Sequence, residues 1–156
     1  MNKLFIFILL VLIDFVSKKI IFYQLVLNSF LEIIPIMDII HIHNYGISFG
    51  LFQGIIPPKI IVIIGLFIVA VIIYMITQTS NNFEKWGLIL IIAGAFSNII
   101  DRAMHNYVLD FIYLHYKEFY WPAFNFADIY ITFGVVMILY KAIKEFKRKI
   151  KNNVSN

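Results

Sequence analysis

One segment constrains the fold of this chain more than any other: residues 60–76 form an apolar run without a charged side chain. Most of its residues are Ile, Val, Leu or Phe, and Pro57 and Pro58, which suit the first turn of a helix, come just before it. About 20 helical residues span the hydrocarbon core of a bilayer. The run therefore predicts a helix that crosses a membrane.

The composition of the whole chain agrees with that prediction. Of its 156 residues, 62% are hydrophobic and only 14% are charged, and the mean hydropathy is +0.87. A soluble domain is closer to half apolar and a quarter charged. Cysteine is absent, which excludes disulfides, thiolate nucleophiles and Cys-ligated metals. The chain is predicted to be a single membrane-embedded domain, residues 1–156.

Three more apolar segments, residues 4–23, 86–103 and 128–143, are predicted to be helices. The first could be a secretory signal peptide. However, Asp14 interrupts its apolar region and no small-residue cleavage site follows, so we interpret it as an uncleaved helix. The predicted fold class is an all-α integral membrane protein with four transmembrane helices.

Lysine and arginine are concentrated at the carboxyl end, in a basic tail predicted to cover residues 144–156, and none occurs between Lys19 and Lys59. The cytoplasmic flanks of membrane proteins carry such an excess. With four spans, both termini are predicted to be cytoplasmic, and the connections 24–58 and 104–127 lie outside. The net charge of +4 therefore indicates a membrane surface rather than nucleic acid as its partner.

The two outer connections carry different patterns. In the first, residues 40–43 alternate between Ile and His, which is typical of a half-buried strand, and residues 44–46 favour a turn. A small extracytoplasmic β-element is predicted there. In the second, residues 107–124 are rich in Tyr, Phe and Trp, which favour the headgroup region. An interfacial aromatic loop is predicted for this connection.

Asp110 and Asp128 are each a lone acid in an apolar run at the predicted outer edge of the membrane. Intramembrane acids are costly and usually functional. Asp128 stands just before an apolar run, so it could equally serve as the N-cap of the last helix. The residues alone leave capping and catalysis open for Asp128.

The two acids are separated by 18 residues, which allows the connection to bring both carboxylates to one water molecule. At about 4 Å they would repel by about 4 kcal/mol at an effective dielectric of about 20. Such repulsion raises the pKa of one of them by about three units, so that the pair shares one proton at neutral pH. The ionised acid could then activate water for attack on a carbonyl that the protonated acid polarises. This is peptide hydrolysis without a metal or a cysteine.

A second polar group lies near the end of the segment 86–103. Asn98, Asp101 and Arg102 are spaced at i, i+3 and i+4, so they share one face of a helix. A helix-end ion pair would explain the acid and the arginine but not the asparagine, so a role in supporting the site is favoured. In the first helix, Asp14 and Lys18 are spaced as a favourable i, i+4 ion pair, which suffices as a structural role for both.

His41 and His43 would face the same side of a strand and could be considered as metal ligands. No third ligand stands nearby in the sequence, and a His-Glu-x-x-His motif is absent. Neither a metal site nor a cofactor is therefore predicted.

Taken in order, these segments resemble the lipoprotein signal peptidases, the signal peptidase II family. The resemblance covers nearly the whole chain and rests on five motifs in sequence: Asp-Phe-Val-Ser-Lys at 14–18, Asn-Tyr-Gly-Ile-Ser-Phe-Gly at 44–50, Asn-Ile-Ile-Asp-Arg at 98–102, Val-Leu-Asp-Phe at 108–111 and Phe-Asn-Phe-Ala-Asp at 124–128. Small departures occur at Ala93 and Ser97, where the family usually has glycine, and at Leu109, where valine is common.

The resemblance implies roles for particular residues. It identifies Asp110 and Asp128 as the catalytic pair. It also implies that seven residues bind substrate or support the site: Asp14, Asn44, Gly46, Asn98, Asp101, Arg102 and Asn125.

The resemblance further implies an aspartyl endopeptidase that cuts bacterial prolipoproteins just before a diacylglyceryl-modified cysteine. It implies a monomer in the bacterial cytoplasmic membrane, with the active site at the outer face, lipid and lipidated substrate as partners, and globomycin as an inhibitor.

The main alternative is a small transporter or proton relay, which would place polar groups near the midplane and repeat its halves. Here the polar residues gather towards one end of the helices and no internal repeat is present. A scaffold subunit would leave the two aspartate motifs unexplained.

Overall fold

The computed structural model describes residues 2–47 and 52–154 of the chain. Four helices and four strands follow one another in the order α1 (Lys3–Gln24), β1 (Phe30–Ile34), β2 (Met37–Asn44), α2 (Pro58–Gln78), α3 (Asn82–His105), β3 (Val108–Tyr116), β4 (Phe119–Tyr120) and α4 (Phe126–Val154). The helices form the body of the protein, with α3 packed against each of the other three. The strands come from the two connections that the sequence predicted to lie outside.

Three helices in the described part of the chain are long and apolar enough to cross a membrane: Pro58–Gln78, Asn82–His105 and Phe126–Asn153. The prediction of four transmembrane helices is therefore wrong. Helix α1 has 22 residues, but every 18-residue stretch of it contains at least three charged side chains. Each such charge costs about 2.5–3.5 kcal/mol at the centre of a spanning helix. Three spans no longer support the argument that placed the amino terminus in the cytoplasm.

Helix α1 directs two of its charges into the protein. Asp14 and Lys18 are its buried residues, with 0% and 4% of their surface exposed, whereas Leu12 and Val16 are about half exposed. A helix on the surface of a soluble protein has the reverse arrangement, with its apolar residues buried and its charged residues exposed. Asp14 and Lys18 of α1 can therefore bind polar groups inside the protein.

The predicted all-α class is also wrong, because the strands form one antiparallel sheet in the order β1-β2-β3-β4. The alternating segment 40–43 lies within β2, as predicted. Its neighbour β3 begins with five consecutive buried residues, Val108, Leu109, Asp110, Phe111 and Ile112. A strand buried on both faces has no alternation to reveal it, which is why the sequence indicated only an aromatic loop there.

Glycines bring α3 and α4 unusually close together. A β-carbon at Gly94 would collide with the backbone carbonyl oxygen of Ala127, and one at Gly134 would collide with that of Gly87. The absence of a side chain therefore lets the backbones approach. Since Ala127 directly precedes Asp128, the contact at Gly94 sets where the first turn of α4 lies against α3.

Helix α4 is longer than predicted at both ends. It begins at Phe126 and continues to Val154, so that it includes most of the predicted tail 144–156 as helix. Its basic side chains are separated from its first turn by the length of the spanning segment. Asp128 and the lysine-rich end therefore lie at opposite ends of one helix.

Candidate active site

The structure brings Asp110 and Asp128 to one cavity of about 360 Å³. Asp110 lies on β3, opposite Ile42 of β2, and Asp128 lies in the first turn of α4. Helices α2, α3 and α4 supply much of the wall, mostly through isoleucine side chains: Ile61, Ile64, Ile68, Ile91, Ile99 and Ile131. The cavity therefore combines an apolar wall with two carboxylates.

Asp110 is 3% exposed and is held by two amides. The Nδ2 atom of Asn44 donates to its Oδ2 at 2.9 Å, and the Nδ2 atom of Asn125 donates to its Oδ1 at 2.6 Å. Burial, helped by the nearby charge of Asp128, raises the pKa of Asp110 to about 7 despite these two donors. The Asp110 carboxyl group can therefore hold a proton near neutral pH.

Asp128 combines helix capping with a place in the site. Its Oδ2 accepts from the backbone N–H of Asn125 at 3.1 Å, while its own backbone N–H donates to Oδ1 of Asn125 at 3.1 Å. This reciprocal pair is a capping box, with Asn125 at the N-cap and Asp128 at the third helical position. The other carboxylate oxygen, Oδ1, accepts from Nδ2 of Asn98 at 3.0 Å. Capping and a position in the cavity are therefore compatible for Asp128, although the cap itself is Asn125.

Asn125 connects the two carboxylates. It is fully buried, its side-chain nitrogen reaches Asp110, and its backbone N–H reaches Asp128. The same residue thus donates to both acids. This bridge controls how the start of α4 is oriented towards β3.

A buried ion cluster lies behind Asp128. The Nζ atom of Lys18 is 2.7 Å from Oδ2 of Asp14 and 2.9 Å from Oδ2 of Asp101. Asp14 also accepts from Oγ of Ser97 at 2.5 Å and from the backbone N–H of Ala127 at 2.9 Å. Because Ala127 belongs to the first turn of α4, the carboxylate of Asp14 satisfies an N–H group that the helix leaves unpaired. Helix α1 thereby anchors the start of α4.

Arg102 is connected to Asp110, the other acid of the pair, through Gly46 and Asn44. Its Nη2 donates to the carbonyl oxygen of Gly46 at 2.8 Å, and the N–H of Gly46 donates to Oδ1 of Asn44 at 3.0 Å. The amide of Asn44 is thereby held with its nitrogen towards Asp110. Residues 48–50 of the predicted motif 44–50 lie outside the described residues.

All nine residues implied by the resemblance therefore lie in one connected set of contacts around the cavity. Lys18 also belongs to this set, although it was not predicted to, because its i, i+4 spacing with Asp14 already explained both residues. Nζ of Lys18 also lies 3.0 Å from Oδ1 of Asn98. A lysine inside an apolar helix was the signal that could have indicated this role.

His41 and His43 form a pair away from these carboxylates. Their Nε2 atoms are 3.2 Å apart, and Nδ1 of His41 lies 2.8 Å from the carbonyl oxygen of Leu25. Within residues 2–47 and 52–154, no group of three side chains is arranged to hold a metal ion. The two histidines join the β2 strand to the end of α1.

Comparison with known proteins relates the chain to enzymes of one kind. Residues 6–144 match the family described as signal peptidase (SPase) II. The lipoprotein signal peptidase of Thermodesulfovibrio yellowstonii is 36% identical over 88% of this chain and 91% of its own length. That of Pelagibacter ubique is 39% identical over 80% of this chain and 74% of its own length.

Solved structures agree with these sequence matches. A bacterial membrane enzyme determined by the in meso method at 2.3 Å resolution superimposes with a TM-score of 0.88 and 29% identity, over 94% of this chain and 90% of that one. A second bacterial membrane enzyme, at 1.9 Å resolution, gives a TM-score of 0.81 and 30% identity, over 91% and 92%. The resemblance drawn from the five motifs is confirmed. The chain belongs to the signal peptidase II family.

Proposed function

We propose that this chain is a membrane aspartic endopeptidase that removes signal peptides from bacterial prolipoproteins, with Asp110 and Asp128 as its catalytic pair. Family membership supports the substrate class and the hydrolase activity. The observation that carries the proposal is the shared cavity, in which both carboxylates accept hydrogen bonds from Asn125. The cut falls just before a cysteine that already carries a diacylglyceryl group.

The chemistry follows from one proton shared by two acids. The ionised carboxylate takes a proton from a water molecule as that water attacks the carbonyl carbon of the scissile peptide bond. The protonated carboxyl group donates a hydrogen bond to the carbonyl oxygen and helps to protonate the leaving nitrogen. The pKa of Asp110 near 7 keeps such a mixed state populated at neutral pH. The proton belongs to the pair as a coupled unit.

The cavity suits a substrate that is apolar on one side and peptidic on the other. Its isoleucine wall can pack against acyl chains or an apolar signal segment. Asn98 and Arg102, which also line it, can donate to peptide carbonyl groups. A lipidated peptide would therefore be oriented with its scissile bond towards Asp110 and Asp128.

The orientation of α4 supports a location for the reaction. The basic residues lie at the carboxyl end of α4 and Asp128 lies in its first turn. Because cationic flanks favour the cytoplasmic side, the carboxylates would face the outer side of the bacterial cytoplasmic membrane. A lipid-anchored substrate presents its cleavage site at that boundary. We further propose that a monomer suffices, since both acids and their partners come from one chain.

The test uses purified protein, a diacylglyceryl-modified prolipoprotein and three single variants. Asp110→Asn and Asp128→Asn are expected to lose at least about 100-fold in cleavage rate, since each removes a general acid or base. Asp38→Asn is the matched control, because Asp38 is a buried carboxylate of β2 that pairs with His115, at 3.3 Å, and does not line the cavity. Near-normal cleavage by either Asp110→Asn or Asp128→Asn would refute the catalytic pair.

A further inference from the structure

Lys18 is a buried cation that the proposed reaction does not use. Its side chain places Nζ within 3.0 Å of three oxygens: Oδ2 of Asp14 at 2.7 Å, Oδ2 of Asp101 at 2.9 Å and Oδ1 of Asn98 at 3.0 Å. An ammonium group has three N–H donors, so these oxygens account for all of them. The two carboxylates already outweigh the single positive charge of Lys18. The third contact, with a neutral amide, requires a different explanation.

The contact with Lys18 determines which way the Asn98 amide points. Lysine only donates, so it selects the amide oxygen, and the amide nitrogen is left facing Oδ1 of Asp128 at 3.0 Å. The reversed amide would place NH₂ against the ammonium group and its oxygen against the carboxylate. Both of those contacts are repulsive. The orientation is therefore set by the chemistry of the two neighbours.

We propose that Lys18 is a positioning residue of the peptidase reaction, which holds the Asn98 amide so that Nδ2 continues to donate to Asp128. This inference rests on the proposed function, because Asp128 is one of its two catalytic acids. The donated hydrogen bond stabilises the ionised carboxylate and keeps it directed into the cavity. Lys18 thus acts on the reaction from helix α1, through a residue of α3, on an acid of α4.

The position of Lys18 separates this role from substrate binding. Asn98 and Asp128 are among the described residues that line the 360 Å³ cavity, and Lys18 is not. Loss of Lys18 should therefore lower kcat while leaving KM nearly unchanged. A hydrogen bond to an ionised group corresponds to about 10- to 150-fold in rate. The acid limb of the kcat–pH profile should also move to higher pH, because the ionised carboxylate has lost a donor.

The experiment must avoid leaving two unpaired carboxylates inside the protein. Lys18→Met is therefore made in the Asp101→Asn background, so that Asp14 is the one carboxylate that loses its cationic partner. The Asp101→Asn single variant is the reference. We expect Lys18→Met to lower kcat by about 10- to 150-fold in this background, with KM within about twofold. Thermal unfolding of both proteins reports whether each is folded.

A second pair of proteins tests whether Lys18 acts through Asn98. With Asn98→Ala also present, Lys18→Met should change kcat by less than about threefold, because the amide it would position is gone. An equal loss of kcat with and without Asn98 would overturn the proposal. So would a loss confined to KM.

One further variant keeps the proposal testable if Lys18→Met does not fold. Asn98→Ala by itself removes the amide donor without adding a charge and leaves Lys18 paired with Asp14 and Asp101, so it should show the same fall in kcat and the same shift of the acid limb. Near-normal kcat in Asn98→Ala would also overturn the proposal. Failure of the proposed function is distinct, since in that case the unaltered chain would not cleave prolipoprotein or the Asp110→Asn and Asp128→Asn variants would still do so.

Discussion

The contact between Gly94 and the start of α4 offers a sharp test of how the carboxylates are positioned. A β-carbon at Gly94 would lie 2.8 Å from Cγ1 of Ile131, whereas ordinary contacts fall at 3.4–4 Å. It would collide still more severely with the carbonyl oxygen of Ala127. In Gly94→Ala, Cγ1 of Ile131 must move by about 0.6 Å, which is the gap between those two distances, and the carbonyl oxygen of Ala127 must move farther. Because Ala127 is backbone and adjoins Asp128, the first turn of α4 must move.

The same helix pair provides a matched control farther from Asp128. A β-carbon at Gly134 would lie 2.6 Å from Cγ1 of Ile91 and 3.0 Å from its backbone nitrogen. Both substitutions overpack the α3–α4 contact, so each should cost about 1–3 kcal/mol of stability. They differ in that Gly134 lies six residues, or about 1.7 helical turns, beyond Asp128.

The two variants should therefore differ in activity rather than in stability. A misplacement of about 1 Å at a reacting group can cost about 100-fold in rate. We expect Gly94→Ala to lose about 100-fold in kcat and Gly134→Ala to lose less than about fivefold, with similar decreases in Tm. The assay measures prolipoprotein cleavage together with thermal unfolding in the same detergent. Equal loss of activity in the two variants, or normal cleavage by a destabilised Gly94→Ala, would refute the reasoning.

Two further predictions concern pH and a distant ion pair. Because burial raises the pKa of Asp110 from 3.8 to about 7, its stabilising contribution is present below about pH 4 and is lost as the pH rises towards 7. The free energy of unfolding of Asp110→Asn, relative to that of the unaltered chain, should thus be larger at pH 8 than at pH 4.5, by at most about 4 kcal/mol. An equal difference in Tm between the two proteins at both pH values would contradict this. Glu84 of α3 pairs with Lys141 of α4, away from the cavity, so Glu84→Gln should lower Tm by about 2–4 °C and leave kcat unchanged. A large loss of kcat in Glu84→Gln would show that this end of the helix pair also affects the carboxylates.

The candidate site could be predicted largely from the sequence, whereas the fold could be predicted only in part. The acids at 110 and 128 stood out because each interrupts an apolar run, and Asn98, Asp101 and Arg102 stood out because a helix places them on one face. Helix α1 was wrongly predicted to span the membrane. Its apolar residues are those of a membrane helix, but Asp14, Lys18 and Lys19 make it too charged for one. Strand β3 was missed because its buried residues do not alternate.

The sequence by itself determined that the chain enters a membrane, which family it belongs to and which polar residues the apolar segments must accommodate. These properties are local, since they depend on composition, on periodicity along one element and on short motifs. Only the tertiary structure decided which of those polar groups meet. Lys18 reaches Asn98 across 80 residues, and Asp14 reaches the N–H of Ala127 across 113 residues. Such contacts depend on how helices pack and on a glycine contact between α3 and α4, and no pattern within one segment encodes them.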